Sequence, residues 1–341
     1  MDKVAPIPFG KRFIGPGHPA VVIAEIGINH EGSANTCALM IEAAVRAGVD
    51  AVKLQSADPD EHYMRGTESH AIYTRAALLQ EETAAMFALA KRLGVEILTT
   101  CGDPPTMDFI ETLDPAAHKI SSGMLGHLPM IRRFARSGRP LLFSSGMSDL
   151  ASVDAAITAS RDQGAQHIAV MQCVSLYPAP AEVMNLRAIE MLRDRYQLPT
   201  GLSDHSLGTE VAMLAVAAGA HVIEKHFSLD RNRPGFDHGI SLEPAELKAL
   251  VQSVRRAEAI LGDGVKTMTA DEECIRRRYA RRLVARRDIP AGKVIEESDL
   301  SIMRATDGSN GLPSTDFDRV IGRRAGHALR RFDVISESDL I

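Results

Sequence analysis

The chain has no CxxC pair, no long apolar run and no glycine-rich dinucleotide fingerprint, and each absence removes a class of protein. Its four cysteines, Cys37, Cys101, Cys173 and Cys274, are widely spread. That spacing argues against a disulfide frame or a zinc ribbon and for free thiols in a reducing cytosol. No stretch approaches the roughly 18 apolar residues a membrane-spanning helix requires, so no membrane is expected among its partners. The opening MDKVAPIPFGKRF carries basic residues without an apolar segment after them, unlike a secretory signal, and a cytoplasmic location is expected. Aromatic residues make up only 4% of the chain. The basic run RRRYARR (276–282) accordingly has little aromatic interleaving, and it contains no nucleic-acid motif. No nucleic-acid partner is expected, and the run reads as a solvated helix end or linker.

What is present is a soluble globular composition, 45% hydrophobic and 24% charged over 341 residues, long enough for a sizeable core and about two domains. Charge is unevenly placed. Residues 276–341 hold 14 Lys and Arg against 10 Asp and Glu, and the remainder holds 25 against 34. A basic tail able to dock on an acidic body is the simplest reading.

Between residues 20 and 262 short β-branched runs alternate with helical stretches, the signature of parallel βαβ units. Eight strand candidates can be counted: 21–27, 51–55, 96–101, 118–123, 140–146, 167–173, 200–205 and 221–227. Helical spacing between them, as in TCALMIEAAVRAG, ends at glycines 48, 94, 138, 164 and 219. Eight such units predict an α/β fold, a (β/α)8 TIM barrel with its chemistry at the C-terminal ends of the strands. An open doubly wound sheet is disfavoured because no GxGxxG follows the first strand. The expected boundaries are a barrel over 1–265, a linker over 266–282 and a small β-rich domain over 283–341. The last contains an internal echo, GKVIEESDL (292–300) and FDVISESDL (332–340), which fits two similar strand-turn-helix elements packed together.

Potentially reactive residues gather at the predicted strand ends. The first strand runs into Glu25, Asn29, His30 and Glu31 in a glycine-bounded loop. Alternation along a strand places Lys53 with Gln55, and Lys119 with Ser121, on common faces. Ser122-Gly123 and Ser144-Ser145-Gly146 follow, so serine, glycine and lysine share one rim, which is what a phosphate site needs. Each lysine or SSG turn alone would read as an ordinary rim feature. The seventh strand ends in Ser203-Asp204-His205, and the eighth carries Glu224 and His226 at i and i+2. Neighbouring barrel strands could bring His205 and His226 together as ligands of a divalent ion that keeps open positions for substrate or water. Seven other histidines lie in loops or at strand starts, where surface placement is expected. His238 stands apart because its loop could cover the site.

These segments resemble the N-acetylneuraminate synthase family, which includes synthases for sialic, legionaminic and pseudaminic acids. The resemblance rests on IAEIGINHEGS (23–33), KLQ (53–55), HKISSG (118–123), SSGM (144–147), CVSLYPAP (173–180), GLSDHSLG (201–208), IEKHF (223–227) and DHGISLEP (237–244), and continues to the C-terminus. It implies a barrel followed by an antifreeze-like (SAF) domain in a domain-swapped homodimer, where Arg304 reaches across to the acyl group of the sugar. It implies catalytic roles for Glu25, Glu224, Lys53 and Gln55, substrate contacts for Lys119, Ser122, Ser144, Ser175, Tyr177, Ser203 and Asp237, and a metal at His205 and His226. Manganese is the first expectation, with magnesium or cobalt as alternatives.

The implied reaction joins phosphoenolpyruvate to an N-acylated hexose aldehyde, N-acetylmannosamine or a 2,4-diacetamido-trideoxyhexose, to give a sialic-acid-like 2-keto acid and phosphate. Such a transferase would serve polysaccharide biosynthesis. The alternatives are the same chemistry on another modified aldose, or a non-catalytic member that binds a sugar or a partner. Two departures bear on the acceptor. Met124 stands where the family carries an acidic residue, and Cys101-Gly102 replaces the usual Pro-Phe after the third strand. Both are expected to touch or frame the sugar.

Overall fold

The computed structural model describes residues 4–305 and 310–341, which form two compact units, one ending at Gly262 and the other beginning at Asp263. In the first, eight parallel strands close into a barrel. A short hairpin, β1 (Ile7–Phe9) with β2 (Arg12–Ile14), precedes them. The barrel strands are β3 (Val21–Gly27), β4 (Ala51–Ser56), β5 (Glu96–Cys101), β6 (His118–Ile120), β7 (Leu141–Ser144), β8 (Ile168–Cys173), β9 (Thr200–Asp204) and β10 (Val222–His226). β10 pairs with both β9 and β3, which closes the ring. Each predicted strand is present, the fourth and fifth shortened because their SSG ends leave the sheet as turns.

Alternation sorts the side chains into two cores. Val21, Ile23, Ala51, Leu98, Leu142 and Val222 point into the barrel, whereas Val22, Ala24, Val52, Leu54 and Ile223 face the surrounding helices. The helices begin and end as their sequences dictate. Ser33 caps Ala34–Ala47 by accepting from Thr36 N, and Gly48 ends that helix at φ 89°, where a side chain would be strained.

Sequence reading overlooked the N-terminal hairpin. Ile7, Phe9 and Ile14 join the inner core against residues at the strand starts, so the hairpin closes the end of the barrel opposite the strand termini. Its signal was the two-residue Gly10-Lys11 loop between Phe9 and Arg12, with Gly10 at φ 54°.

In the second unit a helix spans Ala270–Tyr279, within the stretch read as a linker. β11 (Arg281–Ala285) then pairs antiparallel with β12 (Leu300–Arg304). The internal echo is visible as two 3-10 turns, Glu297–Asp299 and Glu337–Asp339, in place of the expected helices. In each the aspartate accepts from a backbone N-H three residues earlier, Glu296 and Ser336 respectively. The isoleucines and leucines flanking the turns, Ile295, Leu300, Ile335 and Leu340, enter one core.

Candidate active site

At the C-terminal ends of the strands lies a cavity of about 290 Å³. The inward register of β3, β4 and β10 sends Glu25, Lys53, Gln55, Glu224 and His226 into it, and β6 and β9 add Lys119, Ser203 and His205. Ser144 at the end of β7, with Ser122, Ser175 and Tyr177 from the turns that follow the strands, completes the wall. Asp237 is not part of that wall, but its Oδ2 lies 3.6 Å from His226 Nδ1. Arg304 belongs to the second unit, where its guanidinium sits 4.9 Å from the centre of the Tyr279 ring.

Two carboxylates share one buried lysine. Lys53 Nζ is 3.0 Å from Glu25 Oε2 and 3.2 Å from Glu224 Oε1, and Lys119 Nζ stands 3.8 Å from that same Glu224 oxygen. Ser203 Oγ also donates to Glu224 Oε1, at 3.1 Å, and Lys119 donates to Ser144 Oγ at 2.6 Å. Buried ions are tolerated only when paired and hydrogen-bonded in this way.

The surroundings push the two carboxyls apart. Burial raises Glu25 to about 7, with Lys53 opposing the rise and the Glu224 charge adding to it. Burial acts on Glu224 in the same direction, but Lys119 and Lys53 outweigh it and hold Glu224 below the usual range. Burial lowers Lys119, with Glu224 opposing and Lys53 reinforcing the shift. Separated carboxyls of this kind are how one site keeps an acid and a base near neutral pH.

Glu25 is held in place. Gln55 Nε2 donates to Glu25 Oε1 at 2.7 Å, and the Tyr73 hydroxyl donates to Gln55 Oε1, which fixes the amide. Tyr73 escaped the sequence reading because it lies on a short, largely polar helix, Glu68–Ala76, in which only Ala76 is fully buried and no apolar stripe marks an inward face. His62 and Tyr63, earlier in the stretch that follows β4, also line the cavity.

The phosphate-like corner is built by close approach. Ser122 Oγ lies 3.3 Å from Cys173 Sγ. A methyl group on Gly146 would come within 2.3 Å of Ser175 Oγ and 2.6 Å of Ser122 Oγ, so only glycine lets these hydroxyls converge.

His205 and His226 meet with ring centres 5.3 Å apart. His205 Nδ1 donates to the Val174 carbonyl at 2.7 Å, which leaves the lone pair on Nε2, 3.0 Å from the Tyr177 hydroxyl. Burial drives His226 well below its ordinary pKa, and its Nδ1 makes no hydrogen bond. Two imidazole nitrogens with lone pairs, one ring oriented by a backbone carbonyl, suit a divalent ion. Among the described residues no group of three or more His, Cys, Asp or Glu side chains could hold one alone. The remaining positions would fall to substrate and water.

Three expectations change. Met124 and Cys101 are buried behind the cavity in the shell between sheet and helices, so neither frames a ligand, whereas Gly102 does line the wall. His238 is buried as well, and it serves as a strut. Its Nδ1 bonds Ser228 Oγ at 2.7 Å and its Nε2 bonds Glu31 at 3.0 Å, while Arg233 grips Glu31 from the other side. With Asn29 Oδ1 accepting from Asp237 N, these contacts pin the loop that carries Asp237.

Comparison with known proteins shows the family. A family model described as NeuB family matches residues 40–266, and a SAF domain model matches residues 280–341. The N,N'-diacetyllegionaminic acid synthase of Legionella pneumophila is 36% identical over 328 residues, 91% of this chain and 91% of that protein. A pseudaminic acid synthase of Campylobacter jejuni is 31% identical over 333 residues, 93% of this chain and 96% of that protein. Among solved structures, the N-acetylneuraminic acid synthetase of Leptospira borgpetersenii in complex with citrate is similar with a TM-score of 0.76 and 31% identity, covering 79% of this chain and 94% of that one. No helix among the described residues is long and apolar enough to cross a membrane.

Proposed function

The chain belongs to the NeuB family and carries a SAF domain after its barrel, and we propose that it condenses phosphoenolpyruvate with the open-chain aldehyde of an N-acylated hexose, giving a nonulosonic acid and phosphate. The observation that carries this reading is the convergence of two buried lysines, Lys53 and Lys119, on Glu224 in one cavity. Ammonium groups taken out of water favour an anionic ligand, and a phosphate with an adjacent carboxylate supplies one.

In this reading Lys119, Ser122, Ser144 and Ser175 hold the phosphate and carboxylate of the enolpyruvate. C3 attacks the aldehyde carbon, whose oxygen takes up the electron pair and then a proton from water. Positive charge then develops at C2, close to the Glu224 carboxylate. Water adds to C2 and loses a proton to Glu25, whose raised proton affinity suits a base near neutrality. The tetrahedral adduct expels inorganic phosphate as the C2 carbonyl forms. A divalent ion at His205 and His226, manganese by expectation, would supply Lewis-acid polarisation of the aldehyde. Asp237 is placed to meet the hydroxyls of the acceptor.

The test is phosphate release from phosphoenolpyruvate with a panel of 2-acetamido and 2,4-diacetamido hexoses, with and without manganese. Metal-dependent release with one of these sugars is expected. Binding of both ligands without release from any sugar would favour the non-catalytic alternative. The proposal includes a second subunit supplying Arg304 to the acceptor. Arg304→Ala should therefore raise the acceptor KM while leaving that for phosphoenolpyruvate near the wild-type value, and an equal loss of both would remove Arg304 from this role.

A further inference from the structure

The wall of the cavity formed by β4 and β5 contains a feature that neither the reaction nor the family resemblance uses. Gly102 follows β5, and the space beside it is filled. A Cβ built on Gly102 would fall 2.6 Å from His62 Cγ, 2.8 Å from His62 Nδ1 and 2.8 Å from Ala57 Cβ. The imidazole of His62 thus occupies the notch that the missing side chain leaves, and it lines the same cavity as Glu25 and Lys53.

The placement is braced. Gly102 N donates to Ser56 O at 3.1 Å, and Asp58 N donates to Asp103 Oδ2 at 2.8 Å, which stitches the loops after β4 and β5 together. Asp58 in turn caps the short helix Pro59–His62, accepting from Asp60 N at 3.0 Å, so His62 is the last residue of a turn fixed at its start. Its ring meets Tyr63 edge-on at 4.4 Å, and among the described residues neither ring nitrogen is taken by a protein hydrogen bond. A half-buried imidazole with unspent hydrogen-bonding capacity, facing a substrate-sized cavity, is a recognition group.

We propose that His62, admitted by Gly102, is a specificity-determining residue that hydrogen-bonds a polar substituent, a hydroxyl or acylamido group, of the amino-sugar acceptor. This rests on the function proposed above. A side chain at position 102 and an imidazole at position 62 exclude each other, so the pair sets which acceptor substituents the wall can meet.

A double-mutant cycle tests it. Acceptor and phosphoenolpyruvate kinetics are measured across the sugar panel for the wild type, His62→Ala, His62→Asn, Gly102→Ala and the Gly102→Ala/His62→Ala double variant, each checked for an unchanged melting curve. His62→Ala should raise the acceptor KM about three- to tenfold, the size of one neutral hydrogen bond, and reorder the preferred sugars. The KM for phosphoenolpyruvate should stay put, and His62→Asn should recover part of the loss. Gly102→Ala should cost acceptor affinity in the wild-type background and clearly less once His62 is gone, the residue of the effect coming from Ala57. An unchanged sugar ranking in His62→Ala, or an equal cost of Gly102→Ala in both backgrounds, overturns the proposal while the function stands. No phosphate release by the wild type with any sugar defeats the proposed function, and this inference with it.

Discussion

Glu25 shows at the level of one residue how a function costs stability. Its carboxyl is pushed up to about 7 mainly by burial, against an ordinary value of 4.5. Between those two pH values the folded chain keeps a proton that the unfolded chain has lost, so stability falls as pH rises through that window and levels off above it. Glu25→Gln removes the buried acid. The variant should be at least as stable as the wild type at pH 8, with a shallower dependence on pH in urea melts, while kcat for phosphate release drops about 10²- to 10⁴-fold, the usual worth of a positioned base. A variant that melts lower and keeps its activity would deny Glu25 this role. The sequence offered Glu25, Lys53, Gln55, Glu224 and His226 readily, because alternation along a strand fixes which side chains share a face. It did not offer Tyr73 or His62, which sit on two short helices between β4 and the helix Gln80–Leu93, set by packing and, near His62, by the bond from Asp58 N to Asp103. Met124 misled because position after a strand says little about whether a turn points a side chain at the cavity or back under the helices, whereas Cys101 is the last residue of β5 and alternation with the cavity-lining Thr100 turns it towards the helices.

At the scale of elements, the barrel depends on turns and plugs as much as on strands. The turn after β7 works because Gly146 has no side chain. Gly146→Ala would place a methyl group 2.3 Å from Ser175 Oγ, and since the hydroxyls can rotate away the chain should still fold, with a loss of about 1–3 kcal/mol from overpacking. Their convergence should be lost, so the KM for phosphoenolpyruvate is expected to rise at least about tenfold, a loss of roughly 1.4 kcal/mol in binding. A normal KM would show that the corner does not bind the phosphate. The hairpin β1–β2 contributes in the opposite way. Phe9 is fully buried in the inner core, and Phe9→Ala should cost about 3–5 kcal/mol in chemical denaturation while leaving both KM values close to wild type, because the plug lies at the far end from the cavity. The eight strands were legible because short apolar runs, most with β-branched residues, alternate with helical stretches, several of which end at glycine. The hairpin was not, because three-residue strands carry too little pattern to separate from a loop.

For the whole molecule, two units bring different chemistry, and the smaller one has its own electrostatic anchor. Asp299 is fully buried, accepts from Glu296 N and is gripped by Lys293 at 2.6 and 2.7 Å and by Arg287 at 2.6 Å. Burial would raise its pKa, but these partners reverse that and hold it at about 2. A depressed carboxyl stabilises the fold above its unfolded value of 3.8 and loses that contribution as pH falls towards 2. Protection of the Ile295 and Leu300 amides, taken relative to intrinsic exchange at each pH, should therefore fall below about pH 4 in the full chain, by an amount on the order of 1–2 kcal/mol. Asp299→Asn should be weaker at neutral pH and nearly flat across that range, and a variant that keeps the acid dependence would assign it to another carboxyl. The sequence by itself determined the barrel, the second β-rich unit with its paired ESDL turns, and the inward set of charged residues, since periodicity and turn chemistry are local and survive in a string of letters. Only the tertiary structure decided that Lys53 bridges two carboxyls, that His205 and His226 meet, and that His62 fills the place left by Gly102. Distances between residues far apart in the chain are set by how strands close and loops pack, and no local pattern encodes them.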